Sequence, residues 1–499
     1  MENDNPFVLG KIGFPGFVGI RNSNWDFYAQ DDWRVTRKLT VNLGLRYDFN
    51  TVWREGQNRI QNFDIATQSF LPATQAPYNA PKTDFAPRVG FAYDPFGRGK
   101  TVIHGYGGLF YMPMQFGFGL TSNIPALASY NVTVFDAIFA TPPFSIAYPS
   151  PNPPLIAGTQ NVSSFPRNPK DPYSTNWLFG IQQEVAPSTV LTVNYTGNKT
   201  QHMQAGISFA AINLNPSNPN TNFPARPHSG FANENLDADT LSSNYNALQV
   251  QVRRNVGRLN LEGNYTWSHE IDDLVNVFSG WSNPFNPNLD RGSGDWDVRH
   301  NFTASAVYSL LELKGSNSVV RGILGGWQAS SILQTRSGLP ENIQVVSGFF
   351  GNPMRPDYVP GQPLWLSHHS WPDTSYNPAA FQLAPNFTGV WGHDVGSVGR
   401  NALRAPSFFQ WDMSAMKNFP VTERVHLQFR GDFFNILNHP NFTNPDGGIC
   451  SSITYTATSG TCIPNPNFGR SSQTIADVAG GAIGNGTARQ VQFSLKLIF

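Results

Sequence analysis

From residue 24 to the end of the chain, segments with a two-residue apolar period are joined by connections that alternate strictly between short and long. The segments are 24–35, 39–50, 86–95, 101–111, 174–185, 189–198, 243–255, 259–269, 296–309, 325–337, 408–418, 423–436 and 489–499, about thirteen strands in all. Short connections are TRK, PFGRGK, APST, NVGR, a somewhat longer one through residue 324, and NFPVTE. Long ones cover 51–83, 112–173, 199 to about 242, 269–295, 338–407 and 437–487. A soluble sandwich has no reason to gather every long loop at one end, and compact domains rarely carry structureless connections beyond about 15 residues. A transmembrane barrel does, with short turns on the periplasmic side and long loops outside.

The last strand shows the period most plainly. Val491, Phe493, Leu495, Leu497 and Phe499 share one face, and Gln490, Gln492, Ser494 and Lys496 the other, broken only by Ile498. That is the alternation of a strand with one face in lipid and one in a wet lumen. The same pattern recurs at Leu39, Val41, Leu43, Leu45, Tyr47 and Phe49. Aromatic residues gather near strand ends, at Tyr28, Trp33, Trp177, Tyr265, Trp267, Trp327 and Trp411, where interfacial girdles sit.

Composition agrees. Charged residues make up 13% of the chain, against roughly a quarter in a soluble domain. No apolar run approaches the roughly 18 to 20 residues of a spanning helix, and mean hydropathy is −0.31. Lys plus Arg and Asp plus Glu balance at 33 each, which leaves no field to gather nucleic acid. The opening MENDNPFVLGKIGFPGF carries acidic residues where a signal peptide has basic ones. If the last strand descends toward the periplasm, alternation makes the first one descend too, so residues 1–23 continue an extracellular loop. An odd strand number beginning outside is not a complete barrel. The expectation is the C-terminal part of something larger, without plug or signal peptide.

Catalytic signals are poor. His269-Glu270 begins like a zinc-protease helix motif, but Asp273 stands where the second histidine belongs. PFGRGKT has Asp94 in place of the first glycine of a phosphate loop and reads better as a turn. Adjacent His368 and His369 read as solvated loop residues. Asp290, Asp295 and Asp297 suit a loop base bonded to Arg299 or backbone better than a calcium site. The expectation is a non-enzyme with no cofactor and no bound metal. The two cysteines, Cys450 and Cys462, read either as a local disulfide or as free thiols. Trp281, Trp365, Trp371 and Trp391 lie in long loops, where they either contact a ligand or pin loops to one another. Arg46, Asp48, Gln428, Arg430 and Asp432 are expected to face the lumen, because their neighbours occupy the apolar face.

FYAQDDWRVTRKLTVNLGLRYDF, APRVGFAYDPFGRGKTVIHGYGGLFY, DRGSGDWDVRHNFTASAVY, FRGDFFNILNHPNFTNP and RQVQFSLKLIF, in that order, resemble the barrel of TonB-dependent transporters. Among them the chain is most similar to the Oar-like group, whose members carry a carboxypeptidase-regulatory-like domain. The resemblance spans residues 24–499 and implies the C-terminal strands of an all-β, antiparallel outer-membrane barrel of about 22 strands filled by a plug. It implies capture of an extracellular siderophore, oligosaccharide or peptide and uptake energised by the TonB-ExbB-ExbD complex through the plug. The plug becomes the expected partner of the five lumen-facing residues. Phe493, Leu495, Leu497 and Phe499 become the signal read by the barrel-assembly machinery before the wall meets outer-membrane lipid. The rival readings are a passive porin, a structural or adhesive barrel, and a secreted carbohydrate-binding β protein.

Overall fold

A computed structural model describes residues 7–14, 19–114 except 57 and 59, 123, 128–134, 161–205, 212–213, 228, 230–231, 233–273, 282, 286–346 except 312, 314 and 316, 354–384 except 369, 396–455, 460–475, 486 and 488–499. Thirteen strands hydrogen-bond in chain order into one antiparallel sheet. They are β1 (Asn24–Arg34), β2 (Leu39–Asn50), β3 (Phe85–Tyr93), β4 (Thr101–Tyr111), β5 (Tyr173–Ala186), β6 (Thr189–Ala205), β7 (Ala238–Val256), β8 (Leu259–Asp272), β9 (His300–Ser309), β10 (Trp327–Arg336), β11 (Phe408–Pro420), β12 (His426–Phe434) and β13 (Gln490–Ile498). A two-residue strand, Gly292–Ser293, pairs beside β8 as a fourteenth. Among the described residues β1 and β13 form the two edges.

Register fixes what each face carries. Leu427, Phe429 and Gly431 lie opposite Leu497, Leu495 and Phe493, while Gln428, Arg430 and Asp432 lie opposite Lys496, Ser494 and Gln492. Followed from strand to strand, the first set continues through Trp411 and Leu333, Ala304 and Gly263, and Val252 and Leu191. The second continues through Ser414 and Ser330, Thr303 and Asn264, and Gln251 and Thr192. One face is thus apolar across the sheet and the other is a ladder of amides, hydroxyls and charges. Tyr28 departs from the expected aromatic girdle: it pairs with Arg46 and so lies on the polar face.

Several boundaries differ from the sequence reading, each for a local reason. β9 starts at His300 rather than 296, because the Asp297 carboxylate accepts from the Glu270 amide and from Arg404 and holds that stretch as a turn. β12 starts at His426 rather than 423, because Val421 and Thr422 both donate to the Val425 carbonyl. β6 and β7 are 17 and 19 residues long, well beyond the roughly 9–11 that cross a bilayer, so they project at the long-loop end. The connection between β9 and β10, read as a turn, contains a helix, α1 (Ser318–Leu324), whose N-cap Asn317 accepts from the Val320 amide at 2.8 Å.

The long connections are folded rather than merely polar. Ile343, Tyr376, Ala380, Phe381, Val398, Leu403 and Phe468 are buried together in a body drawn from the loops before β11 and β13. A second core, Ile60, Tyr78, Met114 and Phe165, joins the loops after β2 and β4. At the other end of the sheet the turn between β3 and β4 closes on itself. Asp94 accepts from the Gly97 and Gly99 amides at 2.8 and 2.7 Å, and both glycines have φ +67°. These amides hold the chain's own carboxylate, which they keep below the usual carboxylate range. The turn therefore has no vacant nest for phosphate.

Candidate functional site

The long-loop end is assembled around three arginines from the connection between β10 and β11. Arg355 is 1% exposed and its Nη1 donates to Asp290, 0% exposed, at 2.6 Å. Its Nε donates to the Val398 carbonyl at 3.0 Å and its Nη2 to the Leu289 carbonyl at 2.7 Å. Ser282 completes the carboxylate shell with its amide and hydroxyl, at 2.7 and 2.6 Å. Arg400 donates to Asp272 and to the Ser293 carbonyl. Arg404 reaches Asp297 at 2.5 Å, with Arg299 on the same carboxylate oxygen at 3.1 Å. Burial alone would raise the Asp297 carboxyl, but hydrogen bonds from Arg404 and the Glu270 amide, with the charges of Arg404 and Arg299, outweigh it and hold it below the usual range.

The aspartates singled out in DRGSGDWDVRH therefore order loops. Asp290 serves Arg355, Asp295 accepts from Asn401 at 2.7 Å, and Asp297 serves Arg299 and Arg404. His269 lies on β8 rather than on a helix, with Arg299 3.1 Å from its Nε2. Among the described residues no three His, Cys, Asp or Glu side chains are grouped to hold a metal ion. His369 lies outside the described residues, and His368 is exposed.

Trp365 and Trp371 flank Tyr376, with ring centroids at 5.0 and 5.9 Å. Both are half-buried against the loop core, and the Tyr376 hydroxyl donates to the Arg404 carbonyl at 3.1 Å. Trp281 and Trp391 lie outside the described residues. Cys450 and Cys462 are joined by a disulfide across the hairpin Gly448–Tyr455 and Gly460–Pro464, which packs on Val345.

On the polar face Arg46 pairs with Asp48 at 2.5 Å and with Asp26 at 3.1 Å. Arg430 repeats the arrangement with Asp432 at 2.8 Å, and Gln428 donates to Asn418 at 3.0 Å. Gln251 bridges Glu262 and Asn264 at 3.0 and 2.9 Å. Where this face meets the loops, Asn50 donates to Asp171 at 3.1 Å. Burial, with the Asp171 and Asp48 carboxylates nearby, pushes Asp84 up to about 7. Phe493, Leu495 and Leu497 are exposed on the apolar face, and the terminal Phe499, just past the strand, is exposed too.

Sequence reasoning missed the arginines and Tyr376. A signal was present: a solvated loop has no use for Ile343, Val345, Tyr376, Phe381, Val398 and Leu403, and so many apolar residues in 338–407 call for a core of their own.

The sequence profile of the outer membrane beta barrel domain matches residues 6–492. The TonB-dependent transporter Oar of Myxococcus xanthus is 24% identical over 286 residues, which are 52% of this chain and 24% of that protein. Among solved structures, the outer membrane transporter YddB from Escherichia coli is 10% identical, with a TM-score of 0.46 over 95% of this chain and 45% of its own. The FrpB iron transporter from Neisseria meningitidis, F3-3 variant, is 9% identical, with a TM-score of 0.44 over 97% and 46%. The chain thus spans about a quarter of the curated relative and under half of these two solved transporters.

Proposed function

The chain belongs to the outer membrane beta barrel domain family, and from that premise we propose that it captures a ligand at its extracellular rim and takes it up with energy delivered through TonB. It lies in the outer membrane, with its apolar face in lipid, its short turns periplasmic and its long loops outside. The observation that carries the proposal is the folded loop body. Ordering long loops opposes conformational entropy, and a passive pore needs only an open mouth. A rim with buried ion pairs and its own apolar core fits a surface built to hold a ligand in fixed geometry.

In this reading residues 24–499 form barrel wall and rim, and residues 1–23 belong to the extracellular side. Arg46, Asp48, Gln428, Arg430 and Asp432 contact a plug through which TonB, with ExbB and ExbD, acts. Ligand contact falls to the loop aromatics Trp281, Trp365, Trp371 and Trp391, on a siderophore, an oligosaccharide or a peptide. Phe493, Leu495, Leu497 and Phe499 present the closing strand to the barrel-assembly machinery. The test separates binding from uptake. Labelled compounds of the three classes are offered to cells making this barrel together with its plug, with and without TonB. One class is expected to bind in both strains and to enter only where TonB is present. Entry that is indifferent to TonB and to a protonophore would leave a passive barrel instead.

A further inference from the structure

The periplasmic connection between β9 and β10 is the one short-side link that folds into a helix among the described residues, and α1 is amphipathic. Val319, Val320, Ile323 and Leu324 form one stripe, with Ser318, Arg321 and Gly322 opposite. The stripe is not turned into a core. Val319, Ile323 and Leu324 are 65%, 60% and 59% exposed, and the preceding Leu311 is 61% exposed.

Its position is set by the outer wall. Trp327 lies on the apolar face, opposite Lys417, and its indole N–H donates to the Ile323 carbonyl at 2.8 Å. Lys417 reaches the same place from β11: its ammonium donates to the Gly325 carbonyl, at the C-cap of α1, and lies 5.8 Å from the Trp327 ring centroid. A cation at the C-terminal end of a helix meets its unpaired carbonyls and the negative end of its dipole. The two contacts dock the end of α1 on the lipid-facing side of the sheet, at the periplasmic rim. They also give the Lys417 charge a partner on a wall that faces hydrocarbon.

We propose that α1 is an interfacial anchor, bedded in the phospholipid of the periplasmic leaflet with Val319, Ile323 and Leu324 inward and Arg321 toward the headgroups. Continuity with the barrel's apolar belt identifies the occupant, because Trp327, which holds the Ile323 carbonyl, shares the apolar face with Tyr308. A helix of seven residues is too short to persist in water by itself. A seat between wall and lipid supplies both the docking and the apolar environment.

Single cysteines at Ile323→Cys, Leu324→Cys and Arg321→Cys can each carry a bimane label, the natural pair being joined to each other. The labelled protein is measured in its native outer membrane after fusion with vesicles of brominated phosphatidylethanolamine. Quenching by the bromolipid is expected to be several-fold stronger at 323 and 324 than at 321, and quenching by iodide several-fold weaker. Equal iodide access at all three positions would place α1 in water and overturn the proposal. Protection of 323 and 324 from both quenchers would overturn it in favour of a protein cover. The two apolar positions report independently, so a folding defect in one variant leaves the other to decide.

Discussion

Arg355 and Asp290 show how much of the rim rests on single side chains. Each is buried and each neutralises the other, so truncating Arg355 strands a carboxylate with no route to water. A buried ion pair broken on one side costs about 3–5 kcal/mol, whereas replacing both partners with apolar groups is often nearly neutral. Arg355→Leu is therefore expected to open the loop body while sparing the barrel, and Arg355→Leu with Asp290→Leu to recover most of the loss. Limited proteolysis of the outer loops reads this directly, and equal cleavage of single and double variants would show that the pair is not what holds the body. Asp237 makes the corresponding case for pH. It is 6% exposed, its amide donates to the Ser164 carbonyl, and burial pushes its carboxyl up to about 8. The folded chain keeps this proton to higher pH than the unfolded chain, so the unfolded state binds fewer protons between roughly pH 4 and 8 and stability falls as pH rises through that window. The contribution is complete below about pH 4 and gone above about pH 8. Hydrogen exchange, corrected for its intrinsic pH dependence, should show Val162–Ser164 and Glu234–Leu236 losing protection over that range, with Asp237→Asn flattening the curve.

At the scale of elements, period-two patterning made the strands legible and hid what lies between them. Each strand alternates because one face meets lipid, a constraint imposed residue by residue. The rim core has no such period: Ile343, Tyr376, Phe381, Val398, Leu403 and Phe468 come from connections that pack only after the strands have brought them together. α1 was hidden for another reason, since seven residues give too few turns for a helical period to stand out. Glycines inside strands were equally silent in the sequence, and register explains one of them. Gly197 of β6 lies opposite Trp177 of β5, and a Cβ built there would come within 2.2 Å of the indole ring. The aromatic covers the glycine, filling a gap on the apolar face that no other residue could share with it. Gly197→Val is expected to lower barrel stability by roughly 1–3 kcal/mol through overpacking. Adding Trp177→Ala should recover part of that loss in urea unfolding from lipid vesicles. A double variant weaker than the sum of the two singles would mean that the contact is not the source of strain.

For the whole molecule, the two faces of the sheet are two different solvents, and the assignment of lipid to one of them follows from register rather than from overall composition. Neighbouring residues on a single strand should then respond oppositely to the same charge. On β7, Val252 lies between Leu191 and Gly263 on the apolar face and is 42% exposed, while Gln251 lies beside Thr192 and Asn264 in the polar ladder. Both sit a few residues from the periplasmic turn, at nearly the same depth, so depth cannot separate them. An arginine on the lipid face of a barrel costs roughly 2–4 kcal/mol at the bilayer midplane and about 0–1 kcal/mol near the interfaces, so one placed between those depths costs an intermediate amount. One facing the lumen can keep its hydration or join the polar groups there. In the barrel made together with its plug, Val252→Arg is accordingly expected to lose more of the folded, heat-modifiable protein from the outer membrane than Gln251→Arg, which is expected to lose little. The paired comparison is stricter than either variant alone, because a general intolerance of the strand to bulk or charge would affect both. If Gln251→Arg proved the more damaging, the faces would be exchanged. The lumen would then be apolar, and the ladder from Arg46 to Asp432 could not be the surface on which a plug is seated.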